Sequence, residues 1–217
     1  MSSRRSYHHG DLREALLRAA IDLVADVGPR GFTLREAARR AGVSHNAPYR
    51  HFRDKEELLA AVAAEGFREL TRAMLGAAAS QPTALERLSR SGLAYVAFAL
   101  RRPEHFAVMF DTPFSSADYP ECAEAAKEAF ETLVRFVEAC QQDGSLPPGD
   151  TLRRALAAWS LVHGIAKLAI ARRLPFQSSA AVLQFAEATI GGSLPALSWA
   201  DRGDRAADAE TPRVPGR

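Results

Sequence analysis

The chain is poor in the residues that several kinds of chemistry require. It has two cysteines, Cys122 and Cys140, in 217 residues. They form no disulfide framework and fit no metal-ligand spacing, so they read as buried thiols, with a redox-sensing pair as the alternative. No run of eighteen apolar residues occurs, so no membrane-spanning helix and no membrane partner are expected. The opening stretch MSSRRSYHHGDLR has basic residues with no apolar segment behind them, which argues against a secretory signal and for a cytoplasmic protein. There is no GxSxG, no HExxH, no phosphate-cradling glycine loop and no paired cysteine ligands. His8 and His9 offer at most a weak metal site at a flexible end. Catalysis, a resident metal and a cofactor are therefore not expected. One further gap is local: no Asp or Glu stands between Gly42 and Arg53, although a quarter of the chain is charged.

The charge that is present is unevenly placed. Residues 1–55 carry 11 Lys and Arg against 6 Asp and Glu, a net of +5, and the remainder of the chain is net −3. A basic end on a slightly acidic body suggests contact with a polyanion. At 47% apolar residues the chain can bury a real core.

Helical periodicity dominates throughout. Leu12, Ala15, Leu16, Ala19, Leu23 and Val27 predict a first helix over 11–27, stopped by Gly28-Pro29. Thr33 followed by Glu36 is a capping box that opens a short second helix with Leu34, Ala37, Ala38 and Ala41 inward. Gly42 ends it, and Ser44 is a suitable N-cap for a third helix. A second capping box at Asp54 opens a long fourth helix through Leu58, Leu59, Val62, Leu70 and Met74. Three short helices with a tight glycine turn between the second and third suit a helix-turn-helix, whose last helix enters the DNA major groove. The third helix is expected to present His45, Asn46 and Arg50 to base edges or phosphates, and Tyr49, His51 and Lys55 to phosphate oxygens.

These residues carry a resemblance. TLREAARRAGVSHNAPYRHFRDKEELLAAV resembles the DNA-binding segment of the TetR family of bacterial transcriptional regulators. The likeness lies in the capped second helix, Gly42-Val43-Ser44, the Tyr49-x-His51-Phe52 run, and Lys55-Glu56 before Leu58-Leu59. YHHGDLREALLRAA resembles the start of a subgroup of that family. WSLVHGIAKL, from Trp159 to Leu168, resembles that subgroup's Trp-x-x-x-His-Gly signature. The resemblance implies that Thr33, Tyr49, His51 and Lys55 hold the phosphate backbone, that Arg35, Ser44, His45 and Asn46 face bases or adjacent phosphates, and that Val43 and Phe52 pack the small domain. Pro48 departs from the pattern, since many members carry leucine or another good helix former there. At the end of the expected first turn its missing N–H gives up one early helix bond. That either loosens the approach of His45 and Asn46 to the groove or adds rigidity alone.

The expected architecture is all-α. A helix-turn-helix domain over 1–56, with 1–9 a flexible arm, is followed by a helical regulatory and dimerisation domain over 57–199 and a disordered tail over 200–217. In the body, further helices are expected near 85–102, over PEHFAVMF, from about 126 to 140, over 152–171 and over 178–197, with a loop at Asp111–Pro120. Small residues in the last two helices permit close helix approach, and the resemblance implies a homodimer through a four-helix bundle, with Ala157, Gly164, Ala186 and Ile190 as candidate contacts. Tyr95, Phe98, Phe106, Met109, Phe110, Phe130, Trp159 and His163 are candidates to line a cavity for a small apolar or amphipathic effector; the plain alternative is ordinary core. The function expected is a ligand-responsive regulator released from a palindromic double-stranded DNA operator. The competing readings are an activator, or a helical protein-interaction module without an inducer.

Overall fold

The computed structural model of the chain describes residues 9–193, with the side chains of 12–193. The expected arm, the tail, and any continuation of the last helix toward Leu197 lie outside the described residues. Among the described residues, eight α-helices run α1 His9–Val27, α2 Leu34–Arg40, α3 Lys55–Ala78, α4 Ala84–Arg101, α5 Pro103–Asp111, α6 Pro120–Gln142, α7 Thr151–Ile170 and α8 Ser179–Ser193. No strand is found among the described residues. No helix among them is long and apolar enough to cross a membrane.

The described residues group into two compact units. One holds the chain up to Gly66 together with Glu104–Ala123; the other holds Phe67–Pro103 and the chain from Glu124. In the first, α1 buries Leu16, Leu17, Ala20, Leu23 and Val24, and α2 buries Leu34, Ala37 and Ala38. Val27, counted in the apolar stripe of α1 from sequence, is 53% exposed because the helix ends there. Gly66 of α3 admits α5 closely: a Cβ on it would lie 2.6 Å from Met109 Sδ. In the second unit, α4 packs with α7 and α8. Gly92 is the point of approach, since a Cβ there would meet Val162 Cγ1 at 3.3 Å and Ile190 Cδ1 at 3.5 Å. Thr83 and Glu86 form a full capping box at the start of α4.

The two cysteines both lie on α6, about five turns or about 27 Å apart along one helix. They cannot bond to each other within a chain, which removes the redox-sensing pair in its intramolecular form. Cys140 is fully buried, and burial followed by the charge of Asp143 pushes its thiol up to about 11. It is therefore a poor thiolate.

Candidate nucleic-acid interface

The interface is built on the turn after α2. Thr33 caps α2 from extended backbone. Its hydroxyl accepts the Glu36 N–H at 3.3 Å, and Glu36 Oε2 accepts both the Thr33 hydroxyl, at 2.9 Å, and the Thr33 N–H, at 2.7 Å. At the other end Gly42 takes φ +71°, a conformation that costs a glycine little. Its N–H donates to Arg39 O at 3.1 Å, and the Val43 N–H donates to Ala38 O at 3.0 Å. This paired closure is a Schellman motif, with Val43 turned back over the last turn.

The third helix is not an α-helix. The Ala47 N–H bonds to Ser44 O at 2.9 Å, and a 3₁₀ turn follows over Pro48–Arg50. Ser44 does not cap it by its side chain; Ala47 holds the cap position, without a side-chain bond. The cause is Pro48, which has no N–H to offer Ser44 O, so the i to i−4 ladder cannot start from that carbonyl. Ala47 nevertheless sits in the right-handed helical region, at φ −62° and ψ −39°, so the chain keeps a helical direction without an α ladder. Pro48 is buried, and the N–H groups of His51 and Phe52 both return to its carbonyl, at 2.8 and 2.9 Å. The proline thus supplies rigidity and packing at the centre of the expected recognition element.

The positions of the nine expected contacts follow from this turn. Thr33, Arg35, Ser44, His45, Asn46, Tyr49 and Arg50 are exposed, and Tyr49 is 52% exposed despite its size. His51 is half-buried, with its ring tilted against Phe52. Lys55 is half-buried as well. Its Nζ lies 3.5 Å from Arg30 O and 5.6 Å from the Phe32 ring centroid, so α3 is tied back to the α1–α2 turn through it. Val43 is half-buried and Phe52 fully buried. At Asp54 the cap is shifted from the expected box: Asp54 Oδ1 accepts the Glu57 N–H at 2.7 Å, but the Glu57 carboxylate accepts from Arg53 N–H instead of Asp54. Two participants were not foreseen. Glu36 occupies both donors of Thr33, a consequence of the three-residue spacing of the capping box. Arg53 stacks on Tyr119, and nothing in the sequence pairs residues so distant.

The expected effector residues divide between the two units. Phe106, Met109 and Phe110 belong with α5 in the first, where the Phe106 and Phe110 rings are 4.7 Å apart. Tyr95, Phe98, Phe130, Trp159 and His163 belong to the second. There Trp159 Nε1 donates to Tyr95 Oη at 3.2 Å, and Tyr95 Oη lies 2.8 Å from His163 Nδ1. Tyr95 Oη thus accepts from Trp159 and is bridged to His163 Nδ1, where either the phenol or the imidazole N–H donates according to the tautomer. Burial raises the Tyr95 phenol above its ordinary value and keeps its hydrogen in place. Phe130 meets Trp159 edge-on at 6.0 Å, and Phe98 is core, fully buried. Of the expected dimer contacts, Ala157 and Gly164 are half-exposed on α7, and a Cβ at Gly164 would meet nothing within 4 Å. Ala186 and Ile190 are corrected: they are 0% and 2% exposed in the chain itself. The side of α8 that carries them faces inward, so they cannot offer a surface to a second copy. No cluster of three His, Cys, Asp or Glu arranged for a metal ion occurs among the described residues.

Known proteins share both halves of this chain. The family model described as bacterial regulatory proteins, tetR family, matches residues 16–62, and the model described as tetracyclin repressor-like, C-terminal domain, matches residues 88–191. The class C tetracycline repressor protein of Escherichia coli is 49% identical over 51 residues, which is 24% of this chain and 23% of that protein. The chain thus spans about a quarter of that curated relative's length in the match. A solved protein of unknown function from Rhodococcus sp. RHA1 is 37% identical at a TM-score of 0.76, covering 88% of this chain and 100% of that one. The transcriptional regulator FadR from Bacillus subtilis, solved with stearoyl-CoA, shares the fold at a TM-score of 0.71 and 15% identity, over 84% of this chain and 97% of that one. With one family model matching residues 16–62, a second matching residues 88–191 and a like-folded relative along its length, the chain belongs to the TetR family of bacterial regulatory proteins.

Proposed function

We infer that the protein is a cytoplasmic, homodimeric transcriptional repressor without enzymatic activity, released from a palindromic operator by a small apolar or amphipathic effector. The observation that carries the DNA-binding part is the turn from Ser44 to Arg50. It exposes Ser44, His45, Asn46, Tyr49 and Arg50 from a rigid, proline-centred scaffold, in a stretch without a carboxylate. Such a surface offers donors to phosphates and base edges and no like charge to repel them. On this reading residues 1–56 read DNA and 57–199 dimerise and regulate. A two-fold dimer would place two such turns in successive major grooves, about 34–36 Å apart.

The effector reading rests on the Trp159–Tyr95–His163 chain beside Phe130, an aromatic wall with a directed polar group. The Trp159-x-x-x-His163-Gly164 pattern also supports membership of the subgroup that the sequence resembles. A ligand favouring the conformation with mis-spaced turns would shift the dimer off its site. Stearoyl-CoA belongs to the FadR complex; for this chain it is one probe among apolar and amphipathic candidates.

The test is selection of bound duplexes from a random pool, followed by anisotropy titration across a salt series. A palindromic consensus with a steep salt dependence is expected. Recovery of no consensus, with binding no tighter than to arbitrary DNA, would remove the operator reading. Activation instead of repression would appear as increased output from a reporter that carries the selected site.

A further inference from the structure

Arg53 stands at the junction of the 3₁₀ turn and α3, one residue after the buried Phe52. Its guanidinium lies over the Tyr119 ring, with Cζ 5.2 Å from the centroid. Its Nε reaches Asp54 at 3.2 Å and Glu57 at 3.9 Å. A hydrogen bond to the Tyr119 side chain first, then the charges of Asp54 and Glu57, hold this guanidinium above its ordinary value. Tyr119 is committed in turn. Its N–H donates to Ser115 O at 3.0 Å, and its carbonyl accepts the N–H groups of Cys122 and Ala123, both at 3.1 Å, which begin α6. Its ring meets Phe114 edge-on at 5.8 Å. One residue therefore closes the loop over 112–119, starts α6 and seats an arginine that follows the recognition turn.

We propose that Arg53 is a positioning residue and not a phosphate ligand: stacked on Tyr119, it fixes the start of α3, and the turn before it, against the loop that opens α6. The proposal rests on the DNA-binding reading above. Composition alone would count Arg53 with Arg35 and Arg50 as a phosphate contact. A phosphate approaching its guanidinium would meet the carboxylates of Asp54 and Glu57 and would have to displace an aromatic face. The covalent path from Arg53 to Pro48 is short and passes through Phe52, whose burial leaves it little freedom. A displacement of the first turn of α6 would therefore reach the exposed side chains of Tyr49 and Arg50 through this stack.

The test uses Arg53→Ala, Tyr119→Ala, Tyr119→Phe and the Arg53→Ala/Tyr119→Ala double variant of the full chain. Each is titrated against the duplex selected by the native chain, across a salt series, and each is also melted without DNA. Either alanine variant is expected to weaken binding about two- to fivefold, the range of an exposed cation–π contact, with the salt slope unchanged. The double variant should be no weaker than the singles, and Tyr119→Phe, which keeps the ring but loses the hydroxyl, should recover part of the loss. A salt slope lowered by about one in Arg53→Ala, with Tyr119→Ala silent, would make Arg53 a phosphate ligand and overturn the proposal. Multiplying losses in the double variant would overturn it too, as would coupling seen in melting with unchanged DNA binding. Failure of the native chain to bind any duplex would sink the DNA-binding reading instead. In that event the melting cycle still decides the stack, since additive effects there would show no Arg53–Tyr119 coupling.

Discussion

A single carboxylate oxygen of Glu36 accepts both donors of Thr33, the hydroxyl at 2.9 Å and the backbone N–H at 2.7 Å. Thr33, Glu36 and the start of α2 therefore act as one unit. Thr33→Ala should lower stability by about 1 kcal/mol, the usual cost of losing an N-cap, and Thr33→Ser should retain most of it. Urea unfolding of the three proteins measures this. Bonds from the Thr33 hydroxyl and then its N–H hold the Glu36 carboxyl below its ordinary value of 4.5. A depressed carboxylate contributes stability that is complete above its unfolded value and lost as pH falls through the folded one. The difference between native and Glu36→Gln proteins should accordingly shrink as the solution is acidified below about 4.5. A difference that grew on acidification would contradict the capping geometry.

Tyr49 is exposed and Lys55 is tied to Arg30 O. If both clamp phosphates, Tyr49→Phe and Lys55→Ala should weaken binding to all duplexes alike, and Lys55→Ala should reduce the salt slope by about one. An unchanged slope would leave Lys55 a purely internal tie between α3 and the α1–α2 turn.

His45 and Asn46 are exposed on the turn before Pro48. Replacing either by alanine should cost about 1–3 kcal/mol on the selected duplex and little on arbitrary DNA. Equal losses on both would end the base-reading assignment.

The burial of Ala186 separates two substitutions that look alike in sequence. Ala186→Arg would force a long charged side chain into a fully buried site and should cost at least about 3 kcal/mol of chain stability. Gly164→Arg meets open space, so the chain should fold while dimers dissociate. Sedimentation together with urea unfolding distinguishes the two. A Gly164→Arg protein that remains dimeric would move the interface away from that part of α7.

Tyr95 joins Trp159 to His163 in the second unit. Tyr95→Phe removes the shared oxygen from both bonds and should destabilise the chain by about 1–3 kcal/mol. It should also change the tautomer balance of His163, which nitrogen chemical shifts of the imidazole report. An unaltered tautomer in Tyr95→Phe would show that another contact sets it.

The sequence alone determined most of the helices, the expected third excepted, because apolar spacing and caps are local properties. Thr33 with Glu36, Gly42 at its positive φ, and the break at Arg102-Pro103 all stand where the pattern put them. The surface proposed to face DNA could be named from sequence too, since missing carboxylates and gathered donors can be counted without coordinates. Two kinds of fact needed the tertiary structure. The first is how a local conflict resolves: Ser44 and Pro48 both favour a helix start, and the folded chain, with Pro48 buried and unable to donate to Ser44 O, takes a 3₁₀ turn there. The second is direction. An alanine in a helix rich in small residues fits an interface or a core equally well, and the packing of α4 against α8 turned Ala186 and Ile190 inward. Arg53 and Tyr119 belong to the same class, because a contact between distant residues leaves no local periodicity and exists only once the chain has closed.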